Sequence, residues 1–121
     1  MTHRIAWFDI PVNDLGRAEA FYQNVLAIDF IDTGPESPLA VMEHGPGDVA
    51  GCLFKNEDWL PSAQGVLMYF PVEGRMDEAV SMVGSYGGSV VEEVQSIGPH
   101  GFRAVVLDSE GNRIALHCEE M

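Results

Sequence analysis

Trp7-Phe8-Asp9-Ile10-Pro11-Val12 returns sixty residues later as Leu67-Met68-Tyr69-Phe70-Pro71-Val72. Two apolar positions and an apolar-Pro-Val end recur at one offset. A weaker echo follows, in which Leu26-Ala27-Ile28-Asp29-Phe30 matches Tyr86-Gly87-Gly88-Ser89-Val90, each closing a helix-like segment. In a chain of 121 residues this period allows two copies and little else. Repetition at that length predicts one pseudo-symmetric domain, with a binding site at the seam where the copies face each other.

Each copy reads as strand, helix and three strands. Ile5 to Val12 is apolar and aromatic, and Pro11 suits a strand end. Asn13 or Asp14 can then cap a helix in which Leu15, Ala18, Phe21/Tyr22 and Val25/Leu26 share one face. Ile28 to Thr33, Leu39 to Glu43 and Val49 to Lys55 read as strands. Gly34, Pro35 and Pro38 break the first, and His44-Gly45-Pro46-Gly47-Asp48 turns the chain between the other two. In the second copy Val66 to Val72 is a strand, Met76, Val80 and Val83 share a helical face, and Gly87-Gly88 stops that helix. Ser89 to Gln95, Gly101 to Leu107 and Asn112 to Cys118 complete the set, with Asp108-Ser109-Glu110-Gly111 as the last tight turn. The expected class is α+β, with a βαβββ module over about 1–56, a polar linker over about 57–65 and a second module over about 66–121. Neither module has core enough to stand alone. The eight strands should therefore form an open barrel with helices outside and a concave cleft within.

The formal net charge is −13, with only Arg4, Arg17, Lys55, Arg75, Arg103 and Arg113 basic and none adjacent to another. Such a surface repels phosphate backbones and anionic bilayers, so nucleic-acid and membrane partners are not expected. Cys52 and Cys118 are far apart and form no CxxC pair, which argues against a disulfide framework or a thiolate metal site. Both read as strand residues in a reducing compartment. No apolar run approaches a membrane span, and Met1-Thr2-His3-Arg4 carries no signal-peptide core. A cytoplasmic location is the expectation.

The duplicated βαβββ pattern resembles the vicinal oxygen chelate superfamily, the glyoxalase, bleomycin-resistance and dioxygenase proteins. The resemblance covers essentially the whole chain. It is carried by Trp7 to Leu15 with Ala20-Phe21-Tyr22, and by Asp108-Ser109-Glu110-Gly111-Asn112-Arg113-Ile114-Ala115-Leu116-His117 with His100-Gly101-Phe102. It implies a divalent metal held by His, Glu or Gln ligands, one on the first and one on the last strand of each module. Carried over position by position, those sites fall on Trp7, Leu67, Ala115 and either Gly51 or Cys52. None but the cysteine offers a donor, so no metal ligand and no cofactor is expected. Ala27 stands where such proteins usually have glycine, which implies a different closure of the first helix.

Period-two alternation places Asp9, Tyr69 and His117 each two residues beyond a lost ligand position, on the cleft side. Asp9 and His117 are the candidate catalytic residues, an acid–base pair with Tyr69 as a donor. The bland alternative is local hydrogen bonding. Trp7, Leu67, Tyr69, His100, Phe102 and Ala115 are the candidate ligand-binding residues. Trp7 either stacks on a planar ligand or plugs the space a metal would fill. Trp59 either covers the cleft or packs at a dimer interface. His3 and His44 read as surface groups, and Met42, Met68, Met76 and Met82 as core.

Two functions follow. The favoured one is metal-free binding of a small organic molecule, aromatic or cationic, by a homodimer. The alternative is a glyoxalase-like lyase, isomerase or dioxygenase using the Asp9/His117 pair or a metal displaced onto Asp9, His100 or His117. A subunit with a partly filled cleft is the third and blandest reading.

Overall fold

The computed structural model describes residues 4–31, 33–34 and 36–121. The readings placed on His3 and the tripeptide around it, on position 32 and on the breaker Pro35 lie outside the described residues. The first module is β1 Trp7–Val12, α1 Leu15–Val25, β2 Phe30–Ile31, β3 Leu39–Met42 and β4 Ala50–Lys55. The second is β5 Met68–Pro71, α2 Met76–Val83, β6 Ser89–Ser96, β7 Phe102–Leu107 and β8 Arg113–Cys118. Short 3-10 turns occupy Gly84–Tyr86 and Gly98–His100.

The strands form two four-stranded sheets, ordered β1-β4-β3-β2 and β5-β8-β7-β6. In each, the first strand runs parallel to the last strand of its module and the other pairs are antiparallel. One topology is thus used twice, as the repeat predicts. The eight strands remain two separate sheets and do not close. β1 and β5 are edge strands of their sheets, and they approach through Phe8 and Phe70, whose rings meet edge to face at 5.7 Å.

Asp14, not Asn13, caps α1, its carboxylate accepting from Arg17 N at 3.0 Å. The helix buries Ala18, Phe21, Tyr22 and Val25. Beyond its last turn Ala27 has φ 57°, the one described non-glycine residue in the left-handed region. The helix therefore closes as a glycine would close it, which corrects the expectation of a different end. The strand expected over Ile28 to Thr33 shrinks to Phe30–Ile31. This left-handed turn sits just upstream, and the Asp29 carbonyl is engaged by Glu43 N at 3.0 Å. α2 buries Met76, Ala79 and Val83 and ends through Gly87 at φ 96°.

One apolar core joins the modules. Ile10 and Val12 of β1, Phe70 of β5, and Ile114, Leu116 and Cys118 of β8 pack with both helices. Buried Met42 and Met76, with half-buried Met68 and Met82, belong to it as expected. Both cysteines are buried and free. Alternation then leaves Trp7, Asp9, Tyr69, Arg103, Ala115 and His117 on the faces turned away from the helices.

The modules are also tied by polar groups. Tyr22 of α1 donates to Asp108 Oδ2 at 2.6 Å, buried. Arg75, just before α2, donates to the carbonyls of Asn24 and Val25 at the C-terminus of α1. A cation from one module thus stands at the negative end of the other module's helix.

Candidate functional site

On the first sheet, Trp7 is 44% exposed and its Nε1–H donates to Asp9 Oδ1 at 2.9 Å. The same oxygen accepts from Cys52 Sγ at 3.1 Å, because Asp9 and Cys52 face each other in the β1–β4 register. Burial, and then the Asp9 carboxylate, push the Cys52 thiol up to about 11. It is a protonated donor at neutral pH. His44, which read as a surface group, meets the Trp7 ring edge-on at 5.7 Å.

The register also decides between Gly51 and Cys52. A Cβ on Gly51 would overlap the Phe8 ring and its carbonyl on the helix side. The residue of β4 that matches Ala115 is therefore Cys52.

On the second sheet, Tyr69, Ala115 and Val105 lie in register across β5, β8 and β7, and Arg103 lies beside His117. Arg103 Nη1 donates to the Tyr69 hydroxyl oxygen, and the guanidinium carbon stands 5.9 Å from that ring. Nη2 is 3.5 Å from Glu92 Oε1, which also accepts from Gln95 Nε2 at 2.6 Å. His117 Nε2 lies 2.6 Å from the His100 carbonyl. A carbonyl only accepts, so Nε2 carries the hydrogen and Nδ1 of the neutral ring is the bare acceptor. The Tyr69 and His117 rings are 6.0 Å apart.

The structure brings Tyr69 and His117 together and leaves Asp9 apart. Asp9 is held by Trp7 and Cys52 on one sheet, and His117 by the His100 carbonyl on the other. Within this chain no Asp9/His117 acid–base pair forms, because each side chain is fastened to partners on its own sheet. Phe102 needs a second correction. It alternates onto the helix side with Ala104 and Val106 and packs against the core. Arg103, its neighbour, is the residue that reaches the helix-free face. Arg103 and Glu92 were missed in the sequence, and the parity of β7 is the signal that points to Arg103. Ala115 is fully buried, and His100 is exposed and contributes its carbonyl. Trp59 packs on Phe54 at 5.9 Å and is largely exposed.

Two cavities lie at the seam. The larger, about 590 Å³, is lined by residues of both modules, among them Ile5, Phe8, Leu26, Met42, Leu67 and Tyr69. Glu43 is its one charged residue among those described. The second, about 480 Å³, is framed by Asp9, Pro11, Trp59, Leu60, Asn112 and Arg113.

The sequence profile of the Glyoxalase/Bleomycin resistance protein/Dioxygenase superfamily matches residues 4–116. This chain belongs to that superfamily. A search of the curated proteins finds no match. Solved structures with the same fold include a glyoxalase/bleomycin resistance protein/dioxygenase family enzyme from Burkholderia phytofirmans PsJN. It is 20% identical, with 92% of this chain and 94% of that one covered and a TM-score of 0.74. The fosfomycin resistance protein FosX from Listeria monocytogenes is 18% identical over 98% and 92% of the two chains, with a TM-score of 0.71. A glyoxalase/bleomycin resistance protein from Albidiferax ferrireducens T118 is 16% identical over 98% and 99%, with a TM-score of 0.75.

The superfamily's metal-ligand positions carry Trp7, Cys52, Leu67 and Ala115 here. A single protonated thiol is the only donor among them, and Asp9 is already bonded to it. Among the described residues no three His, Cys, Asp or Glu side chains gather closely enough to hold an ion. This donor set does not fit a divalent metal.

Proposed function

We propose that this glyoxalase/bleomycin-resistance-like protein binds a small organic molecule at the seam between its modules, without a metal at the superfamily's ligand positions. The observation that carries the reading is the 590 Å³ apolar cavity built from both modules, with Glu43 its one charged side chain among the described residues. Its size and lining suit the body of a drug-sized ligand. Phe8, Phe70 and Tyr69 supply aromatic surface for a planar group.

The working form in this reading is a cytoplasmic homodimer. Trp7, Ile31, Leu39, Trp59 and Leu60 are exposed on the first module, an apolar surface that a second copy would cover. No described helix is long and apolar enough to cross a membrane. Metal-free proton transfer is the second reading. The bare Nδ1 of His117 favours it, with Tyr69 rather than Asp9 as its companion.

Native mass spectrometry of untagged protein, purified without chelator, tests the first reading. The expected species is a dimer free of transition metal, and near-stoichiometric Fe, Mn, Ni or Zn would overturn it. Small aromatic fragments that bind the wild type should leave folded Met68→Trp, whose indole enters the cavity. Fragments that bind both alike would place the ligand elsewhere.

A further inference from the structure

Three hydrogen-bonding side chains surround Ala115 on the helix-free face of the second sheet. Tyr69 is its neighbour on β5, Val105 its neighbour on β7, His117 lies two residues on, and Arg103 stands beside His117. Ala115 puts only a methyl group where the superfamily places a metal ligand.

The groups around that methyl are under-used donors. Arg103 Nε is buried and has no partner. Its Nη2 reaches Glu92 only at 3.5 Å, and Glu92 is shared with Gln95, so the ion pair is far from the short bidentate kind. The Tyr69 oxygen accepts from Arg103, and its own proton has no acceptor among the described residues. In a chain with six basic residues and a net charge of −13, an inward guanidinium with spare donors is not explained by solubility.

We propose that Arg103, Tyr69 and His117 recognise an oxyanion of the bound molecule, and that the ligand is an aromatic or apolar carboxylic acid. The guanidinium supplies a planar pair of donors matched to a carboxylate, and the phenol supplies a third from the side. The Nε2–H of His117 is anchored on the His100 carbonyl, so its ring is held in place beside them. The proposal rests on the reading that the protein binds a small organic molecule. It replaces the expectation of a cationic ligand, which drew on overall charge alone.

The test compares three probes with one body: 3-phenylpropionate, 3-phenylpropanamide and 3-phenylpropylamine. Binding to the intact protein is followed by 1H–15N NMR, where the buried Arg103 Nε–H gives a resonance of its own. The acid should bind at least about tenfold tighter than the amide and shift that resonance and His117. Arg103→Gln should remove the preference and leave amide binding unchanged. Tyr69→Phe, which keeps the ring, should weaken the acid by roughly threefold to tenfold. Acid and amide binding equally, or the amine binding best, overturns this inference and leaves the seam site standing. Failure of all three probes to bind overturns both.

Discussion

Glu110, in the β7–β8 turn of the second module, holds Arg17 of the first-module helix through two bonds, Nε to Oε2 at 2.7 Å and Nη2 to Oε1 at 2.9 Å. Its Oε1 also accepts from the backbone of Asn13 and Asp14, at 2.8 and 2.9 Å, and Ser109 donates to Oε2. A buried carboxylate thus satisfies the open N–H groups at the start of the other module's helix, where the helix dipole favours an anion. Arg75 does the reverse at the far end. The helix of one module is clamped at both ends by the other.

Glu110→Gln should therefore loosen the join between modules. Burial pushes the Glu110 carboxyl up, but Arg17, Ser109 and the two backbone donors outweigh it and bring it to about 2. A carboxylate depressed in the fold stabilises fully above its unfolded value and loses that contribution as pH falls through the folded one. Equilibrium denaturation at neutral pH should show a loss of about 3 kcal/mol in the variant. The gap between wild type and variant should close between about pH 4.5 and 2. A pH-independent difference would show that the charge is not what matters.

Tyr22→Phe removes the 2.6 Å bond to Asp108 and leaves the carboxylate with Asn112 Nδ2 at 3.0 Å and the backbone of Glu110 and Asn112. The ring packing is unchanged, so the expected cost is about 1–3 kcal/mol from the deprived buried acceptor. Thermal unfolding followed by circular dichroism reads it. An unaltered midpoint would mean that water replaces the phenol.

Ala27→Gly should stabilise the protein. At φ 57° an alanine Cβ crowds the backbone, at a cost of roughly 1 kcal/mol that glycine avoids. A lower melting temperature in the glycine variant would show that unfolded-chain entropy dominates at this position.

The Cys52 thiol should ionise only near pH 11, raised first by burial and then by Asp9. Thiolate absorbance in a Cys118→Ala background gives the titration directly. Asp9→Asn removes the nearby charge and should move the midpoint down. A midpoint at the ordinary thiol value, in protein still folded, would break the Asp9–Cys52 link.

Much of the site could not be read along the chain. Alternation correctly placed Trp7, Asp9, Tyr69, Ala115 and His117 away from the helices, because strand parity is local. It placed Phe102 wrongly, since the start of β7 is set by Gly101 at φ 99°, where a Cβ would overlap the Cys118 carbonyl. Glu92 owes its meeting with Arg103 to register shifts in the β6–β7 pairing, and a bulge has no periodicity to betray it. The Asp108-Ser109-Glu110-Gly111 segment was legible as a turn, with Gly111 at φ 94°. Its reach of more than ninety residues to Arg17 was not.

The sequence by itself determined the doubled βαβββ plan and the superfamily, because both rest on short-range patterns: a repeated strand, helical spacing and turn residues. It also determined that Trp7, Leu67 and Ala115 offer no metal donor, since that depends on residue type alone. Tertiary structure decided which polar side chains share a site. Two separate sheets hold Asp9 on one and Tyr69, Arg103 and His117 on the other, and only the pairing of distant strands sets those distances.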